Sequence, residues 1–133
     1  LEVLRNDEVL TTHARRGGSL LELGSGHGLC GLACSFLSKW ENVVLTDKDM
    51  RLVELIAWNC EMNQTVLAAA TTLPHQLCAR QLVWGHEDAM HGLKAEFGGF
   101  DAVLVVGCTY SKSLLPSLMK TIAAMLRNEE STA

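Results

Sequence analysis

The chain has 133 residues, 48% hydrophobic and 20% charged, with 11 Lys+Arg against 15 Asp+Glu for a formal charge of −4. That size and apolar content suffice for one core without metal or disulfide staples, so a single domain over residues 1–133 is expected and disorder is excluded. The acidic balance argues against a nucleic-acid partner or a membrane surface. No apolar run approaches the roughly 18 residues of a membrane span. The five cysteines include no Cys-x-x-Cys pair, so buried free thiols and a reducing compartment, the cytoplasm or the nucleus, are expected.

In chain order, Ser19-Leu20-Leu21-Glu22-Leu23 reads as a strand ending in a glycine-rich turn. Leu29, Leu32, Ala33, Phe36 and Leu37 then recur at helical spacing and predict a helix with that stripe inward. Residues 43–46 predict a second strand, and Leu52, Leu55, Ile56, Asn59 and Cys60 mark one face of a second helix. Residues 64–74 carry no clear pattern, and residues 77–84 predict a third strand. Residues 101–106 are apolar after Asp101, as a strand covered on both faces must be. Leu115, Leu118, Met119, Ile122 and Leu126 close with a helical stripe, Pro116 sitting in its first turn. Alternating strands and helices predict an α/β, Rossmann-like three-layer sandwich with a mostly parallel sheet. Ligands of such sheets sit at the carboxyl ends of the strands.

The loop after strand one is Glu22-Leu23-Gly24-Ser25-Gly26-His27-Gly28-Leu29-Cys30-Gly31. Alternating glycines there let backbone N–H groups and a helix N-terminus approach a polar ligand. Two registers fit it: Gly26-x-Gly28-x-x-Gly31 as a dinucleotide loop, and Glu22-x-Gly24-x-Gly26-x-Gly28 as the acidic-led loop of S-adenosylmethionine enzymes. Asp47 ends strand two about twenty residues on, where a carboxylate accepts the hydroxyls of an adenosine ribose under either register. Asp49 suits a helix cap. Glu22 tilts the choice, because a pyrophosphate gains nothing from a neighbouring carboxylate whereas an ammonium and a sulfonium do.

The blocks Leu21-Glu22-Leu23-Gly24-Ser25-Gly26-His27-Gly28-Leu29, Leu45-Thr46-Asp47, Leu55-x-x-x-Asn59-x-x-x-Asn63, Leu82-Val83-Trp84-Gly85 and Phe100-Asp101-Ala102-Val103-Leu104 resemble, in order and spacing, class I seven-strand methyltransferases of the protein-lysine branch. The resemblance covers about residues 19–126 and implies S-adenosyl-L-methionine as cofactor and a protein lysine side chain as acceptor. It implies that Gly24, Ser25 and Gly26, with Gly28 closing the motif, line the methionine end of the cofactor. It further implies that Asp47 holds the ribose, Trp84 flanks the adenine, Val106 closes the site, and Tyr110 orients the acceptor amine.

The branch places an acidic residue three positions before that tyrosine, and here the string is Gly107-Cys108-Thr109-Tyr110. A methyltransferase-like binding module without turnover is therefore the second expectation, and an NAD-binding oxidoreductase domain the third. His86-Glu87-Asp88 with His91 matches no familiar metal spacing and predicts a solvated loop, so no metal is assigned. Cys108 has no histidine placed to activate it, and Trp40 and Trp58 read as packing residues. The chain opens on Leu1 and stops at Ala133, and it is expected to be a fragment whose uncharged fourth strand is covered by further strands or by a partner chain.

Overall fold

The computed structural model describes residues 17–37, 39–70, 76–108 and 111–128. Four strands, β1 (Ser19–Leu23), β2 (Asn42–Asp47), β3 (Gln76–Gln81) and β4 (Ala102–Val105), form one sheet in the order β3-β2-β1-β4. Every pairing is parallel, with Leu21 opposite Val44 on one side and Val103 on the other, and Leu45 opposite Ala79. Helices α1 (Leu29–Leu37), α2 (Met50–Ala70), α3 (Glu87–Phe97) and α4 (Leu115–Met125, after a 3-10 turn at Lys112–Leu114) make the crossovers. Among the described residues no helix is long and apolar enough to cross a membrane.

Side-chain alternation along the strands splits the core into two layers. Leu20, Val43, Leu45 and Leu77 face α1 and α2 with Cys34, Ile56 and Cys60, while Leu21, Leu23 and Val44 face α3 and α4 with Met90, Leu93, Leu118 and Met125. Burial pushes the Cys34 and Cys60 thiols up to about 11, so both stay protonated at neutral pH. β1, with a strand on each side and helices on both faces, is buried at every residue.

Three expectations change. The inward side of α1 is Gly31, Cys34 and Ser35, whereas Leu29 is 76% exposed and Phe36 and Leu37 also face outward. The reason is close approach: a Cβ on Gly31 would lie 1.9 Å from Leu45 Cδ2, so the helix rests on the sheet through its smallest residues. On α2, Val53 rather than Leu55 lies inward, and the helix runs on through residues 64–70. Trp40 is a core residue, but Trp58 projects outward from α2. Residues 86–91 are the start of α3 rather than a loop: His86 Nδ1 accepts the Ala89 N–H, and Gly98 ends the helix at φ 74°.

Among the described residues β4 is the outermost strand on its side, and Leu126 bridges Phe100 in parallel just before it. Arg127 donates to both Asp101 carboxylate oxygens at 2.9 and 3.1 Å, and Asp101 also accepts the Ser19 N–H, locking the chain after α4 to the sheet.

Candidate functional site

The strand order reverses at β1: the chain winds from β1 to β2 and β3 on one side and returns to β4 on the other. The carboxyl end of the β1/β4 pair is therefore the crevice of this sheet. The glycine loop leaves β1 at that point, with Gly24, Gly26 and Gly28 at φ 65°, 58° and 83°. The loop is tied to β2: Ser25 N–H donates to the Thr46 carbonyl at 2.8 Å, and Ser25 Oγ accepts the Thr46 N–H. Gly28 is buried, and a Cβ there would press on Leu45 and Ile56.

Gly24 and Gly26 do different jobs. A Cβ on Gly24 would meet Cys108 Sγ at 2.6 Å and the Trp84 ring at 3.4 Å, so that glycine lets three segments close together. Around a Cβ on Gly26 nothing lies within 4 Å, so the loop backbone there borders open space. Asp47 stands beside it, 9% exposed, with Oδ2 accepting the Gly26 N–H and Oδ1 the Asp49 N–H, each at 3.1 Å. Each oxygen keeps a lone pair for a further donor. Asp49 caps the first turn of α2 by accepting the Arg51 N–H.

Trp84 lies half-buried after β3, and the following Gly85 N–H is held by Thr121 Oγ1 of α4 at 2.9 Å. Val106 follows β4, one residue past the Leu23–Val105 pair, and is half exposed. The loop glycines, Asp47, Trp84 and Val106 thus come together at one end of the sheet. Tyr110, with Thr109, lies outside the described residues.

Glu22 is placed differently from its expectation. It alternates with Leu21 and Leu23, is 3% exposed, and points beneath α1, where Oε2 accepts the Gly31 N–H at 3.1 Å. One of its carboxylate oxygens is thereby engaged by the first turns of α1. Burial outweighs the neighbouring hydrogen bonds and raises its pKa above the usual 4.5. An acid whose pKa is raised by folding stabilises the fold below its unfolded pKa, and that contribution is lost as pH rises through the folded value. Comparing melting temperatures with those of Glu22→Gln isolates this effect. The wild type is expected to lose stability relative to the variant as pH climbs above 4.5, and parallel curves would refute the assignment.

Two site neighbours escaped the sequence reading. Cys108 Sγ donates to the Leu23 carbonyl at 3.4 Å, its thiol raised by burial, and so packs the end of β4 against the loop. Asn59 Nδ2 of α2 donates to the His27 carbonyl at 3.0 Å. Its place on the predicted face of α2 and in an Asn-x-x-x-Asn spacing marked it in the sequence, but not this bond.

Comparison with known proteins gives the family. The family described as lysine methyltransferase matches residues 2–132. The chain belongs to that family. It is 28% identical over 117 residues to a calmodulin-lysine N-methyltransferase of Arabidopsis thaliana, covering 88% of this chain and 36% of that protein. It is 32% identical over 117 residues to the protein-lysine N-methyltransferase EFM6 of Saccharomyces cerevisiae, covering 77% of this chain and 42% of that one. The chain therefore spans about two fifths of the length of these curated relatives. The rRNA methyltransferase aviRa from Streptomyces viridochromogenes shares the fold, with a TM-score of 0.59 at 15% identity over 89% of this chain and 69% of that one. The lysine methyltransferase family and this Rossmann-like fold imply S-adenosylmethionine as the methyl donor.

Proposed function

We propose that this domain binds S-adenosyl-L-methionine and contributes to methyl transfer onto a protein lysine side chain. The observation that carries the reading is the Asp47 carboxylate joined to the Gly26 amide at 3.1 Å, with open space beyond Gly26. An acceptor suited to ribose hydroxyls thus adjoins a backbone cradle free of side chains. Five cysteines fit a reducing compartment, the cytoplasm or the nucleus.

When bound, the cofactor supplies a methyl group on a sulfonium sulfur. Gly24, Ser25 and Gly26 hold its amino-acid end, Asp47 its ribose, and Trp84 and Val106 the apolar walls. Displacement at such a methyl needs alignment more than proton chemistry, so the protein's part is to orient both partners and exclude water. The lysine amine must arrive neutral, and the apolar side chain of Val106 disfavours its charged form. Tyr110 is assigned to orient that amine.

Calorimetric titration of S-adenosylhomocysteine and of NAD tests the reading. Binding of the first and not the second is expected, and the opposite result would replace it with an oxidoreductase domain. One observation favours a module without turnover: the branch's acidic position is Gly107, at φ 66°. A Cβ there meets nothing within 4 Å, and aspartate tolerates that backbone region better than most residues, so Gly107→Asp should fold. A rise in methyl transfer from labelled cofactor to lysine-bearing protein is expected for the variant. Unchanged transfer would remove Gly107 as a determinant of turnover.

A further inference from the structure

Asn59 has no part in the functional reading above, yet it reaches from the middle of α2 to the His27 carbonyl, 32 positions away in the chain. His27 stands between Gly26 at φ 58° and Gly28 at φ 83°, so the loop turns through one left-handed residue on each side of it. Glycine adopts either sign of φ with little preference, which means the loop's own sterics do not hold this shape. One bond inside the loop, from the Gly28 N–H to the Ser25 carbonyl at 2.8 Å, closes its turn, and further ties reach it from outside. Asp47 holds the Gly26 N–H, Thr46 holds Ser25 on both its N–H and its Oγ, and Asn59 holds the His27 carbonyl that follows. The first two anchors belong to β2 and the third to α2, so the loop is gripped from two elements.

Asn59 is well placed for this. Its amide must turn its NH2 toward His27, because the amide oxygen in that position would face another oxygen. Its own carbonyl accepts Asn63 Nδ2 at 2.7 Å one turn later. α2 is fixed to the sheet independently by the buried Val53, Ile56 and Cys60, so the Asn59 bond is not what holds the helix down.

We infer that Asn59 is a positioning residue for the cofactor loop, its amide fixing the His27 carbonyl so that the Gly26 side of the loop stays shaped for the ligand. The inference rests on the proposed cofactor reading. A ligand that needs one loop shape binds more weakly in proportion to the fraction of molecules lacking it. Losing one neutral hydrogen bond should therefore weaken binding about fivefold in Asn59→Ala. Asn59→Asp, nearly the same in shape, loses the donor and sets a carboxylate against the carbonyl, so about tenfold or more is expected.

S-adenosylhomocysteine is titrated calorimetrically into the full chain as wild type, Asn59→Ala, Asn59→Asp and Asn59→Gln, each also melted without ligand. The expected result is weakened binding in the first two variants, partial rescue in the third, which keeps the amide, and ligand-free melting close to wild type in all. Where transfer is measurable, KM for the cofactor should rise with kcat at saturation little changed, a split that general loosening of the fold would not give. Alanine and aspartate variants binding within twofold of wild type overturn the inference and leave the cofactor reading intact. A wild type that does not bind overturns both. Should Asn59→Asp fail to fold, Asn59→Ala decides by the same twofold criterion.

Discussion

Gly31→Ala is expected to destabilise the protein by about 2–4 kcal/mol, although glycine to alanine inside a helix ordinarily stabilises by about 1 kcal/mol. The added methyl would sit 1.9 Å from Leu45 Cδ2 and 2.7 Å from Glu22 Oε2. Leu45 is fully buried in the centre of the sheet and has no space to retreat into, and overpacking of this kind costs about 1–3 kcal/mol. The second clash forces the carboxylate off the Gly31 N–H it accepts, stranding a buried charge-assisted bond worth about 1.5–3 kcal/mol. Urea denaturation of both proteins measures the difference. A variant as stable as the wild type would mean that α1 does not rest on the sheet at Gly31.

Asp47→Ala is expected to weaken S-adenosylhomocysteine binding about 10- to 100-fold, corresponding to about 1–3 kcal/mol of lost polar pairing. The substitution removes the acceptor assigned to the ribose and, at the same stroke, frees the Gly26 and Asp49 N–H groups. Asp47→Asn, which keeps one acceptor oxygen, should fall between. Titration of the three proteins checks the order, and affinities within twofold of one another would remove Asp47 from the site.

How much of this was legible depended on whether a residue's role was set by its own element. β1 was readable to the residue because its leucine-rich run ends abruptly in a glycine-rich turn. Asp47 was readable because it ends a strand at a fixed distance from the loop. The inward side of α1 was not, because hydrophobic periodicity assumes that large residues face the core, and here contact with Leu45 selects a glycine instead. α3 was missed for a related reason: Met90, Leu93 and Phe97 are diluted by charged residues and Gly92, and its start is capped by a histidine rather than by serine or aspartate. Glu22 was rightly read as buried, but the side of the sheet it occupies follows from the pleat. The bonds of Asn59 and Cys108 to the loop depend on segments meeting across the chain, which one-dimensional spacing does not encode.

Several ties around the glycine loop are non-local. The Gly26 amide answers to Asp47 21 positions away, the His27 carbonyl to Asn59 at 32, and the Leu23 carbonyl to Cys108 at 85. No short stretch of this chain can therefore assemble the crevice alone, and loop closure must be completed for several crossovers before any of these bonds form. The crevice is thus complete only once β1, β2, α2 and the end of β4 have been brought together. Protection of the Gly26 amide from hydrogen exchange would then report the loop's attachment to β2.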